Sequence, residues 1–245
     1  MSAWGTGIHF VADTPSGQMA DRLAAGEVHV WRAHLGAAAE RVRRGTLSRN
    51  ELERANRLRW PDHREAFVFA RDMLRTVLSG YLRADSAQLV FDISTYGKPV
   101  LAGQPIEFNL GRCGGAVLLA IASGRPVGVD LESCERDIEI VTLADACLTR
   151  DERHVFDALA APLRKAWVLQ LWTRKEALLK AQGSGLSRDP RELDVPWPAT
   201  HSPVTYLRER NRLWTLADIP LGHGWRAAVA VEAEAGNIHG FCLGW

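Results

Sequence analysis

The chain has no apolar stretch long enough to cross a bilayer. Its longest wholly apolar run, Ala116 to Ala122, has seven residues, against the roughly 20 that a membrane helix needs. No basic segment followed by an apolar one opens the sequence, so no secretory leader is expected. Cysteine is scarce: Cys113, Cys134, Cys147 and Cys242 form no Cys-x-x-Cys pair and are too scattered for a disulfide scaffold, which fits a reducing, cytoplasmic setting. Charge of one sign is also lacking. Lys and Arg number 30 against 29 Asp and Glu, a net +1, so no global field draws nucleic acid or an anionic membrane. Any polyanionic ligand must be held by local clustering. The eight histidines show no metal-ligand spacing. A Gly-x-Ser-x-Gly elbow and a Gly-x-x-x-x-Gly-Lys-Ser/Thr phosphate loop are missing too. Gly111 to Gly115 is glycine-rich but opens no helix, which excludes a dinucleotide fingerprint.

What is present is ordinary for a globular protein: 245 residues, 47% hydrophobic and 24% charged, enough for one large domain or two small ones. Glu27 to Ala33 alternates like a strand. Ser48-Arg49-Asn50-Glu51 has the form of a capping box that opens a helix to about Leu58, ended near Pro61. A second helix is expected from about His63 to Leu82. Strands follow at Gln88–Ile93, Ile106–Leu110 and Ala116–Ala122, with turns at Gly97-Lys98-Pro99 and Gly111–Gly115. Gly124-Arg125-Pro126 interrupts the pattern before a further strand around Asp130. Helices are expected near Ile138–Leu148, Arg150–Leu159 and Pro162–Gln182, and short strands in the tail, such as Trp225–Val231. Mixed runs of this kind predict an α+β fold rather than a regular βαβ array.

Two clusters carry the chemistry. In Gly128-Val129-Asp130-Leu131-Glu132 the two-residue period of a strand puts both carboxylates on one face. In Trp172-Thr173-Arg174-Lys175-Glu176-Ala177-Leu178-Leu179-Lys180, the residues Trp172, Glu176 and Lys180 share a helical face. Three carboxylates on two rigid elements suit a hard cation such as Mg²⁺, and the neighbouring lysines suit phosphate. The plainer alternatives are a solvated strand face for Asp130 and Glu132 and an i,i+4 ion pair for Glu176 and Lys180.

Gly-Val-Asp-x-Glu followed by Trp-x-x-Lys-Glu-x-x-x-Lys resembles the signature of the 4′-phosphopantetheinyl transferases of the long, surfactin-synthetase-activating type. Phe69 to Arg75 is similar to that family's arginine-bearing helix, Tyr96-Gly97-Lys98-Pro99 to its Gly-Lys-Pro turn, Glu107-Phe108-Asn109-Leu110 to its Phe-Asn strand, and Gly183-Ser184-Gly185-Leu186 to its helix exit. The resemblance runs from about Glu27 to Leu186. It implies two similar α/β subdomains forming a pseudodimer in one chain, here 1–123 and 124–245, and a monomer. It also implies transfer of 4′-phosphopantetheine from coenzyme A to a serine of an apo acyl, peptidyl or aryl carrier protein. Asp130, Glu132 and Glu176 would bind Mg²⁺, with Mn²⁺ as a substitute. Glu176 and Lys180 would be catalytic, and Arg71, Lys98, Arg112, Lys175 and Lys180 would hold the coenzyme's phosphates. Neither the carrier nor the pathway follows from the sequence.

One loop departs from the pattern. Where the family reads Phe-Asn-x-Ser-His-Ser, this chain reads Phe108-Asn109-Leu110-Gly111-Arg112-Cys113. Arg112 supplies a permanent charge and a bidentate grip on phosphate but exchanges no proton near neutral pH. The departure leaves one alternative to transfer, a paralogue that binds coenzyme A or a carrier without efficient transfer, and a Mg²⁺-dependent phosphohydrolase is a separate alternative. The basic stretch Arg41, Arg43, Arg44, Arg49, Arg54, Arg57, Arg59 and Arg64 reads as a solvated face, or as a surface attracting an acidic protein.

Overall fold

A strand that is apolar on both faces has to be covered on both faces, and Ala116–Ala122 meets that requirement at the centre of the molecule. The computed structural model describes residues 8–13, 19–38, 44–95, 97–101, 103–196 and 204–243. Arg41, Arg43 and Tyr96 of the stretches above lie outside them. The strands are β1 (Phe10–Asp13), β2 (Val28–His34), β3 (Asp92–Ile93), β4 (Pro99–Val100), β5 (Ile106–Cys113), β6 (Ala116–Ser123), β7 (Val127–Ser133), β8 (Val204–Glu209), β9 (Arg212–Asp218), β10 (Trp225–Glu232) and β11 (Ile238–Leu243). The helices are α1 (Met19–Arg22), α2 (Leu35–Ala38), α3 (Arg49–Asn56), α4 (Pro61–Leu82), α5 (Ile140–Cys147), α6 (Arg150–Ala158) and α7 (Ala161–Gln182). None of these helices is long and apolar enough to cross a membrane.

Five strands form one sheet in the order β1-β11-β2-β6-β5, and four form a second in the order β7-β10-β9-β8. β2, β6 and β5 are antiparallel neighbours, while β11 pairs parallel with both β1 and β2. Residues after 124 therefore complete the first sheet. The layers run helix, sheet, sheet, helix. Phe69, Met73 and Val77 of α4 pack on Trp31, Leu119 and Ile121 of the first sheet. The opposite faces of those strands, with Val28, Val30, Leu118 and Ala120, meet Val129, Leu131, Ala227 and Val229 of the second. The far side of the second sheet, with Trp214, Leu216, Ala228 and Ala230, is covered by α5, α6 and α7.

The expected capping box forms: the Ser48 side chain accepts from the Glu51 N–H, and the Glu51 carboxylate accepts from the Ser48 N–H at 2.9 Å. Pro61 stands in the first turn of α4, where its missing N–H has no helical partner to lose. The strand expected over Gln88–Ile93 shrinks to the two residues of β3, preceded by a 3₁₀ turn at Ser86–Gln88. The reason is a side chain. The Arg75 guanidinium donates to the carbonyls of Ser86 and Leu89 at 2.8 and 3.0 Å, which takes them from any ladder.

His29 on β2 is buried, with Nδ1 2.6 Å from the Tyr81 hydroxyl. Burial, helped by the neighbouring His239, holds its pKa down to about 4 from 6.5. Between those values the unfolded chain binds more protons than the folded one, so this contribution to stability is full above pH 6.5 and is lost as pH falls towards 4. Urea midpoints measured from pH 7 to pH 4 should show wild type losing on the order of 2–3 kcal/mol relative to His29→Gln.

Candidate active site

Alternation along β7 sends Val127, Val129 and Leu131 into the core between the sheets and Gly128, Asp130 and Glu132 towards α7. Gly128 decides how near that helix comes. A Cβ at residue 128 would collide with the carbonyl oxygen of Ala177 and the amide of Ala181, both α7 backbone atoms. Without it the helix lies on the strand, and the residues on either side of Ala177 reach the carboxylates. Lys180 Nζ donates to Asp130 Oδ1 at 2.6 Å and to the Val129 carbonyl at 3.3 Å.

The charges here are poorly matched. Burial raises the Asp130 carboxyl to about 6; Lys180 opposes the shift and Glu132 adds to it. Burial followed by repulsion from Asp130 raises Glu176 to about 7, again against Lys180. Asp130 Oδ2 and Glu176 Oε1 are buried without a hydrogen-bond partner among the described residues. Glu132 is better satisfied: its Oε2 accepts from Arg136 at 3.2 Å and from the Cys113 thiol at 3.4 Å. No three His, Cys, Asp or Glu side chains are gathered into a ready metal cage among the described residues. The donor chemistry nonetheless fits a hard cation, since two partnerless carboxylate oxygens in a buried, like-charged group are what such an ion would satisfy.

Beside Glu132 opens a cleft of about 870 Å³ lined by His63, Ala66, Arg112, Cys113, Ser133 and Arg136. Arg112 on β5 is exposed and close enough to Arg71 of α4 to repel it. Burial lowers the Arg71 pKa, Glu51 raises it, and Arg54, Arg75 and Arg112 lower it further. Glu51 is more tightly held by Arg75, at 2.7 Å, than by Arg71, at 3.9 Å. Arg54 was not among the expected site residues. The α3–α4 corner carries it to Arg71, a long-range fold of the chain that spacing does not reveal.

Two expected phosphate ligands stand elsewhere. Lys98 is tied down at the start of β7, with Nζ 3.2 Å from the Val127 carbonyl and 3.7 Å from Glu107. Lys175, also expected to hold phosphate, is fully buried. Its ammonium donates to Glu152 at 2.5 Å and to the carbonyls of Cys147 and Pro190 at 2.7 and 3.1 Å, which uses all three donors. Glu152 in turn caps α6 by accepting from the Thr149 N–H at 2.8 Å. Lys175 therefore staples the end of α5, the start of α6 and the Pro190 turn to α7.

A family model described as the 4′-phosphopantetheinyl transferase superfamily matches residues 126–230, the span that carries β7 and α7. The 4′-phosphopantetheinyl transferase HetI of a Nostoc species is 32% identical over 215 residues, covering 85% of this chain and 89% of that protein. The chain belongs to the 4′-phosphopantetheinyl transferase superfamily. A putative 4′-phosphopantetheinyl transferase of Synechocystis, slr0495, is 31% identical over 144 residues, 58% of each chain. The 4′-phosphopantetheinyl transferase Sfp of Bacillus subtilis is 24% identical over 169 residues, 64% of this chain and 74% of that one. In this member of the superfamily both signature halves fall on elements in direct contact, the strand of Asp130 and the helix of Glu176.

Two substitutions separate packing from chemistry. Gly128→Ala should force α7 off β7 and destabilise the fold by about 1–3 kcal/mol in urea titration. Lys175→Ala leaves Glu152 buried without its cation and should cost about 3–5 kcal/mol. Its damage should appear as lost folded protein, measured by circular dichroism.

Proposed function

We propose that the protein transfers the 4′-phosphopantetheine group of coenzyme A to a serine hydroxyl of an apo carrier protein, releasing adenosine 3′,5′-bisphosphate. The observation that carries this most is the juxtaposition of Asp130, Glu176 and Lys180 across the Gly128 contact, with two carboxylate oxygens left partnerless. Membership of the superfamily and the likeness to HetI support the same reaction.

Asp130, Glu132 and Glu176 would hold Mg²⁺ or Mn²⁺. When bound, the ion neutralises and polarises the coenzyme's diphosphate. The remaining work belongs to positioning and to charge. Arg71, Arg112 and Arg54 form an under-neutralised cationic group beside the cleft, suited to the coenzyme's phosphates through bidentate guanidinium contacts. Glu176, through a carboxylate oxygen not engaged with the ion, or a water beside it, accepts the serine proton as the serine oxygen attacks the phosphorus that carries pantetheine. The bond from that phosphorus to the bridging oxygen breaks, and the bisphosphate leaves with the electron pair. Lys180 Nζ would balance the new charge and return a proton to it. One chain carries both sheets and the cleft at their junction, which supports a monomer, and four free cysteines suit a reducing compartment such as the cytoplasm.

The test mixes purified protein with coenzyme A, Mg²⁺ and several apo carriers, and records intact carrier mass and small-molecule products. Transfer adds phosphopantetheine to the carrier and yields the bisphosphate. Unmodified carriers with bound coenzyme A would favour a binding protein, and phosphate released without a carrier would favour a hydrolase. Lys180→Ala should lower turnover by about a hundredfold or more, with wild-type folding by circular dichroism. Near-normal turnover in that variant removes Lys180 from the mechanism.

A further inference from the structure

β7 is the outer strand of its sheet and β5 the outer strand of the other. Along their seam the two run in the same direction: Asn109 meets Val129, Gly111 meets Val129 and Asp130, and Cys113 meets Glu132. No backbone ladder joins them among the described residues. The β7 backbone on this side still requires partners, because buried N–H and C=O groups are rarely left unpaired. Side chains provide them. Lys98 Nζ donates to the Val127 carbonyl at 3.2 Å, Asn109 Oδ1 accepts from the Val129 N–H at 3.0 Å, and Lys180 Nζ donates to the Val129 carbonyl at 3.3 Å.

We infer that Asn109 is a positioning residue that clamps β7 from the side and so fixes where Asp130 stands, with Lys98 bracing the same edge at Val127. Asn109 is 8% exposed, so its effect on a substrate has to pass through the strand it holds. Its bond ends on Val129, the residue immediately before Asp130. The choice of side chain follows from the surroundings. An apolar residue offers no acceptor, and a carboxylate would add a fourth negative charge beside Asp130, Glu132 and Glu176. An amide accepts without charge. Gly111 lets the clamp close, since a Cβ there would lie 2.9 Å from the Val129 carbonyl oxygen and 3.3 Å from the Asp130 Cα. Lys98 is 12% exposed, its side chain is held between Val127 and Glu107, and the β3–β4 pair fixes the turn that bears it. The clamp itself stands on these contacts, while its consequence for metal and coenzyme rests on the proposed transferase function.

The test follows hydrogen exchange at the Val129 amide, together with coenzyme A affinity by calorimetry without divalent metal. Asn109→Leu should speed that exchange by about tenfold or more. It should also raise the Mg²⁺ concentration for half-maximal carrier modification, and leave metal-free coenzyme affinity within about threefold, because Arg54, Arg71 and Arg112 are untouched. Asn109→Asp, which keeps the acceptor, should return the exchange rate towards wild type. Unchanged Val129 exchange in Asn109→Leu overturns the clamp. Should Asn109→Leu fail to fold, Asn109→Ser, too short to reach Val129, carries the same expectation. A wild type that binds no coenzyme A removes the transferase reading, and the exchange measurement still decides the clamp.

Discussion

Because residue 128 has no side chain, the backbone of α7 lies directly on β7, with the Ala177 carbonyl and the Ala181 amide in the space a Cβ would fill. The other site contacts follow from that approach. Glu176 and Lys180, about one turn apart, straddle the contact and are delivered to Asp130. A helix held even a methyl group farther out would leave Lys180 short of its 2.6 Å bond to Asp130 and would admit water between the carboxylates. The raised pKa values of Asp130 and Glu176 are consequences of the same dryness.

The two lysines of the helix signature show how one element serves stability and chemistry at once. Lys175 faces inward, and every donor it has is used within the fold. Lys180 keeps about a quarter of its side chain in solvent and leans on a carboxylate that is itself incompletely satisfied. Helical geometry already separates them: Glu176 and Lys180 lie about 40° apart around the axis, whereas Lys175 is about 100° away from Glu176. The signal that excludes Lys175 from the carboxylate face was present in the spacing, and adjacency in the motif concealed it.

Much of the rest was legible for the same local reasons. The capping box, the alternation along β7 and the apolar run of β6 are properties of neighbouring residues, and the structure realises them with ends shifted by a residue or two. What spacing could not supply lies between distant segments. β11 joins the first sheet in parallel from the far end of the chain, Arg54 meets Arg71 through the α3–α4 corner, and Arg75 removes the Leu89 carbonyl from any strand. One sheet also draws strands from both sides of residue 124.

The loop that departs from the family pattern gains a physical account from the seam. At position 111 even a single carbon would press on the Val129 carbonyl, so glycine suits a seam as tight as this one. The arginine that follows it points to the α4 side, where Arg71 and Arg54 already repel one another. The region holds two opposed groups of like charge, carboxylates crowded around Asp130 and guanidiniums crowded around Arg71. Neither relieves the other, because β7 and α4 hold them on separate elements. Under the proposed function, a phosphate-bearing substrate accompanied by a divalent cation would answer both, its anionic part meeting the arginines and the cation meeting the carboxylates. On this argument the strain built into each half is preorganisation for a ligand of mixed charge.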